Sequence, residues 1–174
     1  LSINPLLGKP GGGIRTISKT PMLYRMLCRC TFDKTIEWEN KNIKKFDAAS
    51  RGSSALHASL YRNLLSEVSY FNGEEVISVF NDFDKFFDTV DLPILVEKLI
   101  GLGYPLTEAC IALQQHLAPR VIQCEGFTSS PINIFKSILA GCMHSVAFTR
   151  CLLMPDIQQV VDKNKILKVR CFKD

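Results

Sequence analysis

The chain predicts an α+β domain, on three observations. Strand-like and helix-like stretches alternate without a regular βα period. No repeat, low-complexity tract or clear linker interrupts them. The 174 residues are enough for one domain with a proper core and too few for two comfortable ones.

The elements follow in order. "GKPGGGIRTIS" (8–18) is a glycine-rich turn followed by a short alternating segment, one arm of a hairpin. "TPMLYRMLCRCTFDKTIEWE" (20–39) reads as a helix, with Thr20 as its cap and Pro21 at the first helical position. Trp38, Tyr24 and Tyr61 fall at helical positions and read as packing residues. After a polar connection at 40–52, Ser53 or Ser54 caps a second helix, with Leu56, Leu60, Leu64 and Val68 at helical spacing. "FNGEE" is a turn before a strand, Val76–Phe80. Asp91 caps the next helix, whose apolar face is Leu92, Leu95, Val96 and Leu99, and Gly101 and Gly103 end it. Residues 106–118 make another helix, and 120–139 two strands around a polar turn. Residues 144–161 look helical, with Pro155 expected to kink or divide them. "ILKVRCFKD" (166–174) reads as a strand.

Composition narrows the class. At 47% hydrophobic and 22% charged, the chain is neither disordered nor fibrous. No apolar run approaches the roughly 20 residues that span a bilayer. The start shows no basic segment followed by an apolar one, as a signal peptide would. An intracellular protein without a membrane partner is the expectation. The seven cysteines (Cys28, Cys30, Cys110, Cys124, Cys142, Cys151 and Cys171) are odd in number and form no CxxC pair. That speaks against zinc or a disulfide framework and for buried, reduced thiols. His57, His116 and His144 look isolated, with no triad spacing, and read as structural or surface residues. Charge is uneven: residues 1–51 hold ten Lys/Arg against four Asp/Glu, the rest eleven against thirteen. A basic N-terminal third suits a polyanion such as nucleic acid or a nucleotide, or is simply a solvated surface.

The stretch "VISVFNDFDKFFDTVD" (76–91) carries the chemistry. An apolar run enters four carboxylates, Asp82, Asp84, Asp88 and Asp91. One reading is a strand end with a solvated turn and a helix cap. A calcium loop fails, because no glycine stands at its sixth position and no glutamate at its twelfth. A magnesium site needs one or two carboxylates with phosphates and water. A second acid is available in "VRCFKD", which ends in Asp174.

These residues resemble a family. "DFDKFFDTV" (82–90) is similar to the first catalytic motif of reverse transcriptases, and "FKD" (172–174) to the start of their aromatic-x-Asp-Asp motif. "SILAGCMHS" (137–145) resembles their Arg-Gln-Gly-x-x-x-Ser motif. "KPGGGIRTI" (9–17) resembles their Lys-Pro-Gly…Arg-Pro-Ile finger segment, and "SRGSSALHA" (50–58) their Gly-Arg-Ser-Thr segment. The type looks like a retroelement (retrotransposon) or group II intron-like enzyme rather than a retroviral one.

The resemblance implies a polymerase right-hand fold: fingers plus an incomplete palm, with a small antiparallel sheet packed on helices. Residues 1–174 would be one incomplete domain, fingers-like at 1–71 and 103–140 and palm-like at 72–102 and 141–174, without a thumb. The implied activity is RNA-directed DNA polymerase, a nucleotidyltransferase adding dNTPs to a primer 3′ end on an RNA or DNA template. Two Mg²⁺ ions, or Mn²⁺, would be held by Asp82, Asp174 and the backbone carbonyl of Phe83, with the Phe83 side chain in the core. Asp84 and Asp88 would be structural or solvated. Arg15, a planar and permanently charged guanidinium, would grip the triphosphate, with Lys9 assisting. Phe87 would lie under the incoming sugar or be an ordinary core phenylalanine. Gly141 would lie under the nascent base pair. Ala140 stands where the family has Gln, and Leu139 where it has Arg, so a polar nucleotide contact is lost. Cut inside its last motif, the segment is expected to be inactive alone. The nucleus suits a mobile element, although no targeting run marks it. Two rivals stand beside this reading: a degenerate, retroelement-derived nucleic-acid-binding domain without catalysis, and an interaction module whose acids only cap helices.

Overall fold

The glycine-rich turn closes a hairpin. In the computed structural model, which describes residues 1–50, 52–164 and 168–169, strand β1 (Ser2–Gly8) turns back into β2 (Ile14–Thr16), pairing Leu7 with Arg15 and Gly8 with Ile14. The turn is tied by Lys9 N–H to Gly13 O and Gly12 N–H to Lys9 O, both 3.0 Å. Gly12 and Gly13 both take φ of 88°, a conformation open to glycine at little cost. The other edge of β1 pairs in parallel with β3 (Arg120–Cys124), Ile3 opposite Val121. β3 in turn pairs antiparallel with the short β4 (Phe127–Thr128). The sheet order is β2-β1-β3-β4.

The fold is therefore α+β among the described residues, with a small four-stranded sheet and six helices: α1 (Met22–Asn42), α2 (Ala55–Phe71), α3 (Phe86–Thr89), α4 (Leu92–Gly101), α5 (Leu106–Leu117) and α6 (Ser145–Lys163). Three expectations need correction. The sheet is mixed, not antiparallel. One edge of β1 is taken by the chain folding back on it (Ile3 and Lys19 exchange bonds of 3.1 and 2.7 Å), so β3, running the same way as β1, takes the other. Val76–Phe80 forms no strand, and Ile77, Val79 and Phe80 are largely exposed. An apolar run becomes a strand only where a neighbour accepts its backbone bonds, and no ladder among the described residues includes it. Its expected partner strand, 166–174, lies outside the described residues except for Lys168 and Val169, which have no regular structure. Finally, α6 runs unbroken through Pro155. A proline forfeits its own N–H bond and crowds the preceding turn, but the helix is assigned on both sides of it.

The chain forms two compact units: residues 1–41 with 85–156, and 42–84 with 157–174. In the first, α4 and α5 present Leu92, Leu95, Leu99, Ala109 and Ala112 to Tyr104, Ile138, Phe148 and Cys151, all buried. Trp38 of α1 closes this core; its ring sits 5.0 Å from that of Tyr104, and its indole N–H donates to Leu102 O at 2.9 Å. In the second unit Phe46, Asp47 and Ala58 are buried, and the Arg62 guanidinium lies 4.9 Å from the Phe80 ring. The six described cysteines are free thiols. Cys28, Cys142 and Cys151 are buried as expected, while Cys30, Cys110 and Cys124 are exposed. No helix among the described residues is long and apolar enough to cross a membrane.

Candidate functional site

Three of the motif segments meet in the first unit. The segment 137–141 arrives from β4 without regular structure and is tied at nearly every residue. Ser137 N–H donates to Val90 O at 2.9 Å, and Ile138 N–H to Phe87 O at 2.8 Å. Ala140 O accepts from Ser18 N–H at 2.9 Å. Residues 137–140 thus link the end of the first acidic motif to the stretch that follows β2. Gly141 sits at the turn that follows, with φ of 99°. A Cβ there would stand 3.3 Å from Ile17 Cγ2 and 3.5 Å from Ser18 O. A side chain at Gly141 would crowd Ile17 and take a backbone conformation that favours glycine, whatever lies beyond it.

Around this junction the nucleotide candidates differ in setting. Lys9 and Arg15 are exposed on the hairpin. Ala140 is half-buried. Phe87 is half-buried and packs against the core beside Phe86, rings 6.0 Å apart. This is the core role that was open for it.

The acids are spread out. Asp91 caps α4, its Oδ1 accepting from Ile94 N–H at 3.3 Å. Asp84 and Asp88 are exposed. Asp88 also acts through space on the buried Arg120, opposing the burial that lowers that guanidinium's pKa. Asp82 is exposed in an irregular stretch of the second unit. So is Phe83, whose side chain is 59% exposed and not in the core; without a strand there is no alternation to turn it inward. Asp174 lies outside the described residues. Among the described residues no group of three or more His, Cys, Asp and Glu is arranged to hold a metal ion. Asp82 is exposed and so accessible to a hydrated cation.

A second polar assembly lies under the 137–141 segment and was not anticipated. Arg120 at the start of β3 is buried and donates to Ser137 Oγ at 2.9 Å, His116 O at 3.3 Å and Ser137 O at 3.4 Å. His116 Nδ1 accepts from Leu139 N–H at 3.1 Å. His144 Nδ1 shares a 2.8 Å hydrogen bond with the Tyr104 hydroxyl, which lies 3.4 Å from Thr35 Oγ1. Both imidazoles are fully buried, against Phe148. Burial, then Arg120 and His144, push His116 down to about 3. Burial lowers His144 as well, partly offset by Glu108. His116 and His144 are structural, as expected, but not isolated. The signal for His116 was present: it falls four residues after Ala112 and seven after Ala109, on the inward stripe of α5. His57 is exposed on α2, and Tyr61 is mostly exposed.

No family model matches the chain, and no curated protein matches it.

Proposed function

We propose that the chain is part of a reverse-transcriptase-like polymerase domain that binds a deoxynucleoside triphosphate and a primed RNA or DNA template. The observation that carries this reading is the three-way junction in the first unit. Two segments of the resemblance, 82–90 and 137–145, are joined there by main-chain bonds, Phe87 to Ile138 and Val90 to Ser137, and Ser18, the residue after the 9–17 segment, bonds to Ala140. In this reading Arg15 and Lys9 on the hairpin bind the triphosphate, and Gly141 and Phe87 border the nucleotide. Asp82 and Asp174 are the carboxylates that would hold Mg²⁺, which when bound supplies charge neutralisation for phosphoryl transfer. A guanidinium can bond two phosphate oxygens at once, at the cost of ordering an exposed side chain.

The test is binding of a dNTP, with Mg²⁺ present, by calorimetry. Arg15→Ala is expected to weaken binding by roughly 10- to 100-fold, the loss of one charge-assisted contact. Asp82→Asn is expected to remove the Mg²⁺ dependence of binding. No measurable dNTP binding by the wild-type chain, or equal binding by Arg15→Ala, would overturn the assignment. Salt-sensitive nucleic-acid binding without dNTP binding would select the non-catalytic nucleic-acid-binding rival.

A further inference from the structure

We propose that His116 is a proton-sensitive latch on the 137–141 segment. The segment is held through its carbonyls, Ser18 N–H donating to Ala140 O and Ser145 Oγ to Leu139 O at 2.6 Å, through Arg120 at Ser137, and through three of its own N–H groups. Two of its N–H groups, those of Ser137 and Ile138, go to backbone carbonyls, which do not titrate. The third, from Leu139, goes to an imidazole nitrogen. Nδ1 can accept that bond only while it carries no proton, so the neutral ring has its proton on Nε2. Nε2 is itself buried and has no hydrogen-bond partner among the described residues. Protonating Nδ1 turns the acceptor into a donor facing another donor, and the Leu139 anchor is lost.

The surroundings keep the ring neutral while the latch is closed. The charges acting on His116 are the Arg120 guanidinium of β3 and His144 at the start of α6. Neither would stabilise an imidazolium. The carboxylates that act on this network do so through other groups: Asp88 of α3 acts on Arg120, and Glu108 of α5 acts on His144 and lies 3.7 Å from Lys34 of α1. Tyr104 is engaged with His144. Once the segment lifts and the ring meets water, its affinity for a proton returns to the ordinary histidine range. The open state therefore binds a proton that the closed state refuses. Closure is strongest above about pH 6.5 and weakens by about tenfold for each pH unit below it.

Ala140 and Gly141 lie just beyond the latch. Its bearing on nucleotide binding rests on the function proposed above, but the latch itself does not. The experiment is amide hydrogen exchange on the chain between pH 7 and 4.5, read as protection factors for Leu139 and for Ala112 inside α5. In the wild type, Leu139 protection is expected to fall about tenfold per pH unit below 6.5 while Ala112 protection holds. His116→Gln, whose side-chain carbonyl accepts without titrating, should flatten the Leu139 profile. A Leu139 profile that tracks Ala112, or that keeps its slope in His116→Gln, overturns the latch. Should His116→Gln fail to fold, the wild-type comparison of the two amides decides alone. Absence of dNTP binding at pH 7 would defeat the polymerase reading and leave the exchange slope standing. A flat slope would defeat the latch whatever the dNTP does.

Discussion

In α4 the stripe Leu92, Leu95 and Leu99 is at most 5% exposed, whereas in α2 the stripe Leu56, Leu60, Leu64 and Val68 is 50 to 66% exposed. Both helices carry leucines at helical spacing. The difference lies in what faces them. α4 belongs to a unit whose other elements supply Tyr104, Ala112 and Phe148 as a continuous core. In the unit that holds α2, the apolar run expected to form a strand, Val76–Phe80, has no ladder and is itself exposed. Periodicity says which side of a helix wants burial, and only a partner surface provides it.

The largest effects should separate the two regions. Phe148→Ala, at a fully buried site, is expected to cost about 3–5 kcal/mol, and Leu60→Ala on the exposed stripe less than about 1 kcal/mol. Urea denaturation of both variants checks this, and a Leu60→Ala cost equal to that of Phe148→Ala would mean that the α2 stripe is covered in solution. Within the first unit, Glu39 and Arg150 form an ion pair with side chains only 11% and 9% exposed. Glu39→Ala leaves the Arg150 charge buried and should cost about 3–5 kcal/mol. The exposed pair Lys98–Asp156, at 3.3 Å, should give about 1 kcal/mol or less when broken. Double-mutant cycles on the two pairs decide; equal coupling energies would remove the distinction by burial.

Next in size is Gly141→Ala. It forces a side chain into a left-handed conformation and against Ile17, at an expected cost of about 1–2 kcal/mol in thermal unfolding. A neutral substitution would show that the junction between the hairpin and residues 140–141 yields.

The elements that were legible in the sequence are those whose signals are local. The glycine turn at 8–13, the Asp91 cap and the helix at 106–117 depend on a few neighbouring residues, and each stands where the pattern put it. The parallel pairing of β1 with β3 depends on strands far apart in the chain, which no local pattern encodes. The same holds for Val76–Phe80: its composition asks for a strand, but the pairing that would make one is not local. Of the candidate site, the residue types at Phe87 and Gly141 stood out in the sequence, but the main-chain bond from Ile138 to Phe87 had no local signal. The buried network beneath it could not be anticipated either, because its bonds join the neighbouring His116 and Arg120 to Ser137 and Leu139 about twenty residues further along the chain.

The smallest prediction returns to the two helices, through their caps. Asp91 and Ser54 occupy the same position at the start of α4 and α2, both in extended backbone. Asp91 accepts from Ile94 N–H in the first turn of α4, one of the donors that have no partner within the helix. Ser54 makes no side-chain cap bond, and the neighbouring Ser53 hydroxyl is engaged 2.7 Å from that of Ser50. Asp91→Ala should therefore cost about 1 kcal/mol and Ser54→Ala close to nothing. The residue type alone would assign both a capping role; only the bond that is made carries the stabilisation. Equal losses in chemical denaturation would show that the Ser54 hydroxyl reaches its helix in solution, and that the two helix starts are held alike.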